Sequence, residues 1–282
     1  MIFTPGNRQD LIAKAAASGA DAVIVDLEDA VPAAAKEAAR GNLQRLPRQQ
    51  VPWYVRVNGA TTAHLWDDVA AAGRCEIAGV VLPKADDPGL LAQLDGALTV
   101  LERQAGRSPG ATEIVPLIES AAGVLRAQEL CQGSRVRTVL FGSGEQGDLV
   151  TDLGCEWTPD GSALLVARGL VVLAARASGV QPMDAVFMDF RNLGALRTEC
   201  QLARRLGYAG KVAIHPGQLP VIHEVFTPTP DEVAGQRRII ELFEQAVAQG
   251  AASIDVDGRM VDYAVAARAR SIVARAEAVP GR

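Results

Sequence analysis

The chain has 282 residues, 49% apolar and 22% charged, the make-up of a globular protein with a large core rather than a disordered or fibrous one. Its net charge of −5 and pI near 5.3 offer no basic footprint for nucleic acid or an anionic membrane surface, and no stretch is long and apolar enough to span a bilayer. Cys75, Cys131, Cys155 and Cys200 lack Cys-x-x-Cys spacing and a nearby His, which excludes a zinc site or disulfide framework. With no targeting signal in MIFTPGNRQD, the protein reads as soluble and cytoplasmic.

In chain order, short β-branched runs alternate with Ala-rich stretches of helical period. The runs are IFTP (2–5), AVIVDLE (22–28), WYVRVN (53–58), GVVLPK (79–84), EIVPLIE (113–119), TVLFGS (138–143), DAVFMD (184–189) and KVAIHP (211–216). The stretches between them, such as LIAKAAASG and ALLVARGLVVLAARASG, close on Gly, a helix stop. Eight strand–helix pairs predict a (β/α)8 TIM barrel over residues 1–225, its parallel strands buried on both faces. After the proline-marked turn FTPTPD, a C-terminal helical extension over 226–282 is expected as part of the same domain. It comprises helix 231–249, the loop GAASIDVDGRM and helix 261–278.

Barrel enzymes build their sites at the C-terminal ends of the strands. There the runs carry Glu28 and Asp29, Arg56 and Asn58, Lys84, Glu119, then Glu145 and Asp148, Asp189 and His215. Any one acid at such a junction has an ordinary explanation, because the following helix presents its positive end. Ser120 is a more natural cap for the helix beginning AAGVL, so capping accounts poorly for Glu119. Arg56 lies between Val55 and Val57 in a buried strand and needs a carboxylate, either Glu28, Asp29 or a substrate acid. Lys84 is able to snorkel to solvent or to meet substrate, and His215 to be a packed residue satisfied by backbone. Several acids in one cleft repel one another unless a proton or a cation intervenes, and oxygen-only ligands point to a hard ion such as Mg2+.

GSGEQG (142–147) fits G-x-G-x-x-G after an apolar strand, but the acid that a dinucleotide fold requires about 20 residues later falls in a helical stretch. No Walker lysine, H-E-x-x-H or G-x-S-x-G occurs.

Taken jointly and in order, FTPGNR, SGADAVIVDLEDAV, VRVN, VVLPKAD, PLIESAAGV, DLVTDLG, GYAGKVAIHPGQ, FTPTPDEV and DGRMVD resemble the citrate lyase β-subunit family and its free-standing relatives, the malyl-CoA and citramalyl-CoA lyases. The resemblance spans nearly the whole chain. It implies a homotrimer or hexamer and Mg2+ held by Glu119 and Asp148. Arg56 would bind a substrate carboxylate, with Glu28 and Asp29 supporting the metal's waters and holding Arg56. Asp262 would be the acid/base, on a segment able to cover a neighbouring subunit. The implied reaction joins or splits a 2-oxo acid and the acyl chain of a CoA thioester. Alternatives are a β subunit acting on an acyl-carrier-protein thioester, a CoA-independent aldolase, and a noncatalytic binding protein on a retained barrel. Two departures stand out: the loop FGSGEQGDL is longer than the family's F-G-x-E-D-L, which makes Glu145 an alternative ligand, and Tyr263 follows Asp262 where a small residue or proline is common.

Overall fold

The computed structural model describes residues 1–47 and 51–278. Eight strands form one parallel sheet in sequence order: β1 (Ile2–Pro5), β2 (Val23–Asp26), β3 (Trp53–Arg56), β4 (Gly79–Leu82), β5 (Glu113–Ile118), β6 (Thr138–Phe141), β7 (Gln181–Asp184) and β8 (Gly210–Lys211). Just past β8, Ala213 bridges Ile2; the Phe3 amide donates to Ala213 O and the Ala213 amide to Met1 O, each at 2.9 Å. The sheet thus curls back onto its first strand, as the eight-unit pattern predicts. Alternate residues converge inside it on Ile24, Val81, Val115, Leu117, Leu140 and Val212, with Phe3, Tyr54 and Met183 packed against them. Among the described residues no helix is long and apolar enough to cross a membrane, and all four cysteines are free.

The strands are shorter than their apolar runs suggest, and nearly all the excess lies at their C-terminal ends. Glu28, Asn58, Lys84, Glu119 and Ser143 all fall beyond the last residue of their strand. The seventh strand is misplaced in the sequence reading: the ladder uses QPMD (181–184), and AVFMD leaves it. Gln181 donates its amide to Arg137 O and Ala209 donates to Pro182 O, both at 2.8 Å. Hydropathy favoured the more apolar run, which instead follows the strand into the mouth, where Ala185, Val186 and Met188 line a cavity.

The chain divides into two compact units, residues 1–222 and the segment from His223 onward. In the second, the helix Pro230–Ala248 starts at a Thr229–Glu232 capping box with Pro230 in its first turn. It contributes Phe243 to a small core with Val256, Val261 and Ala266, the last from the helix Tyr263–Glu277. The segment expected as a loop is an antiparallel hairpin, β9 (Ile254–Val256) and β10 (Arg259–Val261). Asp257 and Gly258 both have positive φ, +54° and +77°, the pairing that a two-residue hairpin turn requires; the Asp-Gly dipeptide was its legible signal.

Candidate active site

Strand parity builds the site. On β2 and β3, Ile24 and Tyr54 face the interior, so Asp26 and Arg56, two residues on and paired in register, face it at the C-terminal end. On β5 the inward series Val115, Leu117 continues to Glu119, one residue past the strand. Ser120 caps the following helix, accepting from the Gly123 amide at 3.0 Å, so Glu119 is left for other work, as the sequence suggests.

The side chains meet around a cavity of about 400 Å³, whose lining includes Asp29, Arg56, Glu119, Ser143, Glu145 and Asp148. Its remaining wall is largely apolar, with Leu117, Leu140, Phe141, Val186 and Val212. The Arg56 guanidinium donates from Nε and Nη2 to the two oxygens of Asp26 at 2.7 and 2.6 Å. Sequence reasoning offered Glu28 or Asp29 as its partner and missed Asp26. Glu28 is second, 3.1 Å from Nη1, and Asp29 third at 3.8 Å. Asp26 also accepts the amides of Glu28 and Ala30, so it fixes the Glu28–Asp29 turn and the arginine together. Burial opposes the charge of Arg56, but the hydrogen bonds and charge of Asp26 more than offset it and hold its pKa above the usual value.

Glu119 accepts the Lys84 amide at 2.8 Å through Oε1. Lys84 has φ +49°, a left-handed conformation that costs an L-residue about 1–2 kcal/mol. Its Nζ lies 3.2 Å from Asp148 and 3.6 Å from Glu28. Lys84, two residues past β4, therefore reaches three acids. Asp148 opens the helix Asp148–Leu153, and one turn later Asp152 accepts the Ala121 amide at 2.6 Å, tying that helix to the segment two residues after Glu119. Glu145 is exposed on the cavity rim and shares no hydrogen bond or ion pair with the acids around Lys84. Burial, ahead of any charge, pushes both Glu28 and Glu119 up to about 7.

These residues fit a hard divalent cation. The donors are carboxylate oxygens without sulfur, and buried Glu28 Oε2 accepts no hydrogen bond, its cationic neighbour being Arg56 Nη1 at 3.1 Å. Gly142 keeps the space beside Glu119 open, since a Cβ there would stand 2.9 Å from Glu119 Oε2. No group of three or more His, Cys, Asp or Glu in a metal-holding arrangement occurs among the described residues. Mg2+, however, usually takes only one or two protein carboxylates and completes its shell with water and substrate.

Other predicted residues have structural duties. Asn58 donates to Leu27 O and to buried Asp68. His215 is exposed rather than packed; its Nδ1 accepts the Gly217 amide and its ring stacks on Phe190 at 4.9 Å. Asp189 is exposed and accepts the Arg191 amide. Asp262 belongs to the C-terminal unit, where it caps the helix Tyr263–Glu277 by accepting the Val265 amide at 2.9 Å. Sequence reasoning also missed Ser143, whose buried Oγ has no hydrogen-bond partner at the cavity wall.

Residues 1–216 match the family described as HpcH/HpaI aldolase/citrate lyase. The chain is 34% identical to the citrate lyase subunit beta of Leuconostoc mesenteroides subsp. cremoris, over 99% of this chain and 93% of that protein. It is 33% identical to a (3S)-malyl-CoA thioesterase of Cereibacter sphaeroides, over 99% and 94%. Among solved structures it is similar to the protein CitE of Mycobacterium tuberculosis in complex with magnesium, acetoacetate and coenzyme A. The TM-score there is 0.78 at 31% identity, covering 98% of this chain and 97% of that one.

Proposed function

The chain belongs to the HpcH/HpaI aldolase/citrate lyase family, and from that premise we propose that it is a Mg2+-dependent carbon–carbon lyase. It would cleave a 3-hydroxyacyl-CoA thioester into a 2-oxo acid and an acetyl-CoA-type product, or run the reverse condensation. The observation that carries this reading is the meeting of Glu28, Glu119 and Asp148 around one lysine, beside an arginine locked in place by Asp26, at the mouth of a small cavity. Glu119 and Asp148 would hold Mg2+, with Glu28 and Asp29 supporting its waters. Asp148 is favoured over Glu145 because its carboxylate already shares Lys84 with the buried acids. When bound, the ion supplies Lewis-acid stabilisation of negative charge on substrate oxygens.

The chain's own residues do the rest. Arg56 is oriented by two bonds to Asp26 and an ion pair with Glu28 and lines the cavity, so the N–H groups these leave over are preorganised for a substrate carboxylate. Lys84 adds a second positive charge for an anionic substrate, and the apolar wall excludes water from the bond being broken. In cleavage the substrate hydroxyl gives its proton to solvent water as the C–C bond breaks and the oxo acid forms; the departing enolate takes a proton from Asp262, which regains one from solvent. In condensation Asp262 removes that proton. Asp262 would come from the C-terminal unit of a neighbouring copy in a homotrimer or hexamer.

Thioester hydrolysis is the second reading, favoured by the likeness to the malyl-CoA thioesterases. Purified protein with Mg2+ is assayed against malyl-CoA, citramalyl-CoA and citryl-CoA for free oxo acid and free CoA. Oxo acid from at least one ester, lost in chelator, is the expected result. Free CoA without oxo acid favours hydrolysis, and activity with an oxo acid and an aldehyde alone favours a CoA-independent aldolase. Cleavage undiminished by chelator contradicts the metal assignment.

A further inference from the structure

We propose that Lys84 is a tethered counter-cation: its ammonium holds the acids of the mouth together before Mg2+ arrives, and Mg2+ uptake displaces it. The inference rests on the metal reading above and concerns what occupies the site in the metal-free protein. Lys84 touches the three acids through two separable parts. Its amide donates to Glu119 at 2.8 Å, while its Nζ lies between Asp148 at 3.2 Å and Glu28 at 3.6 Å. The amide contact depends on the backbone alone, so the ammonium can leave without releasing Glu119.

Charge makes the ammonium necessary. Asp26, Glu28, Glu119 and Asp148 gather here, and the single Arg56 is already committed to Asp26 by two hydrogen bonds and to Glu28 by an ion pair at 3.1 Å, which leaves Asp148 and Glu119 without an arginine partner among the described residues. Asp148 stands on the helix after β6 and Glu28 beyond β2, so without a cation between them these acids repel one another. Lysine suits the duty, being a compact point charge on a flexible stem. With 45% of the Lys84 side chain exposed, a path to water lies open. The backbone supports the same assignment. At φ +49° glycine would sit with less strain, yet this position carries a long cationic side chain whose tip reaches two acids.

An ion entering this site must therefore compete with a resident charge, and removing that charge should tighten Mg2+ binding. The test is calorimetric titration of Mg2+ alone into chelator-treated, full-length wild type, Lys84→Met, Lys84→Gly and Lys84→Arg at low ionic strength. Lys84→Gly removes the ammonium while accommodating the left-handed backbone, so it carries the test if Lys84→Met does not fold. Lys84→Met and Lys84→Gly are expected to bind Mg2+ roughly tenfold tighter than wild type, the scale of one unit charge a few ångströms away screened by water, as the half-exposed side chain is. Lys84→Arg is expected to stay near wild type. Unchanged or weaker binding in both neutral variants, with wild-type circular dichroism, overturns the inference and leaves the metal reading standing. Wild type that takes up no Mg2+ overturns the metal reading itself, and this inference with it.

Discussion

Two charged clusters decorate the same sheet, and they differ in what they leave unfinished. At β7 and β8, Asp184 and Lys211 pair in register and meet Arg168 and Glu199 from the helices Leu165–Ala177 and Leu193–Leu206. Two cations face two anions there, all buried, with Lys211 donating to Asp184 at 2.6 Å and to Glu199 at 2.7 Å. Burial opposes the Lys211 charge, but Asp184 and Glu199 outweigh it and its pKa is raised. At the mouth, acids outnumber cations, so that Arg56 is shared between Asp26 and Glu28, and Glu28 and Glu119 are pushed toward neutrality. A closed network ties strands to helices. An incomplete one beside a cavity is where, on the proposed reading, an ion and a substrate would complete the count.

Breaking each cluster should separate the two roles. Glu119→Gln or Asp148→Asn is expected to lower turnover on the order of a hundredfold or more with little change in melting temperature, as read by steady-state kinetics beside thermal denaturation. Lys211→Met should do the reverse. It leaves Asp184 and Glu199 without one of their buried partners, costing about 3–5 kcal/mol of stability by denaturant titration, while the folded fraction keeps its turnover. Arg56→Lys loses the planar fork on buried Asp26, and kcat/KM should fall roughly 10- to 100-fold with a loss of about 1–3 kcal/mol of stability by denaturant titration.

The pH response should also divide the clusters. Glu28 and Glu119 hold protons in the folded protein up to about 7, well above ordinary carboxylates, chiefly because they are buried. Between the usual carboxylate range and about 7 the folded state then binds more protons than the unfolded one, so metal-free stability falls as pH rises through that window. Melting temperatures in chelator check this, and Glu119→Gln should flatten part of the slope. The smallest expected effect is at Ser143. Ser143→Ala should raise KM for the oxo acid a few-fold, on the scale of one hydrogen bond, and leave Mg2+ affinity alone.

Much of this was legible because period and position carry it. Eight buried runs spaced by helical stretches specify the strand order, and the acids beyond their ends mark the mouth. What escaped depends on parity and partners in space. Asp26 lies inside an apolar run two residues before the conspicuous Glu28, and only the register with Arg56 reveals it as the arginine's main partner. Asp184 and Lys211 lie one residue out of step with the inward-facing Met183 and Val212 and so face the helices, a distinction hydropathy does not make. QPMD is hard to read as a strand because Pro182 has no N–H to give a ladder, although its carbonyl accepts from the Ala209 amide.

As proposed, the incomplete cluster would hold Mg2+ through Glu119 and Asp148. The most direct measurement is calorimetric Mg2+ titration at about pH 7 in buffers of different ionisation enthalpy, on wild type and Glu119→Gln. Binding of one ion by wild type, with proton release, and its loss in Glu119→Gln is the predicted result. Equal Mg2+ affinity in the two proteins would contradict the account.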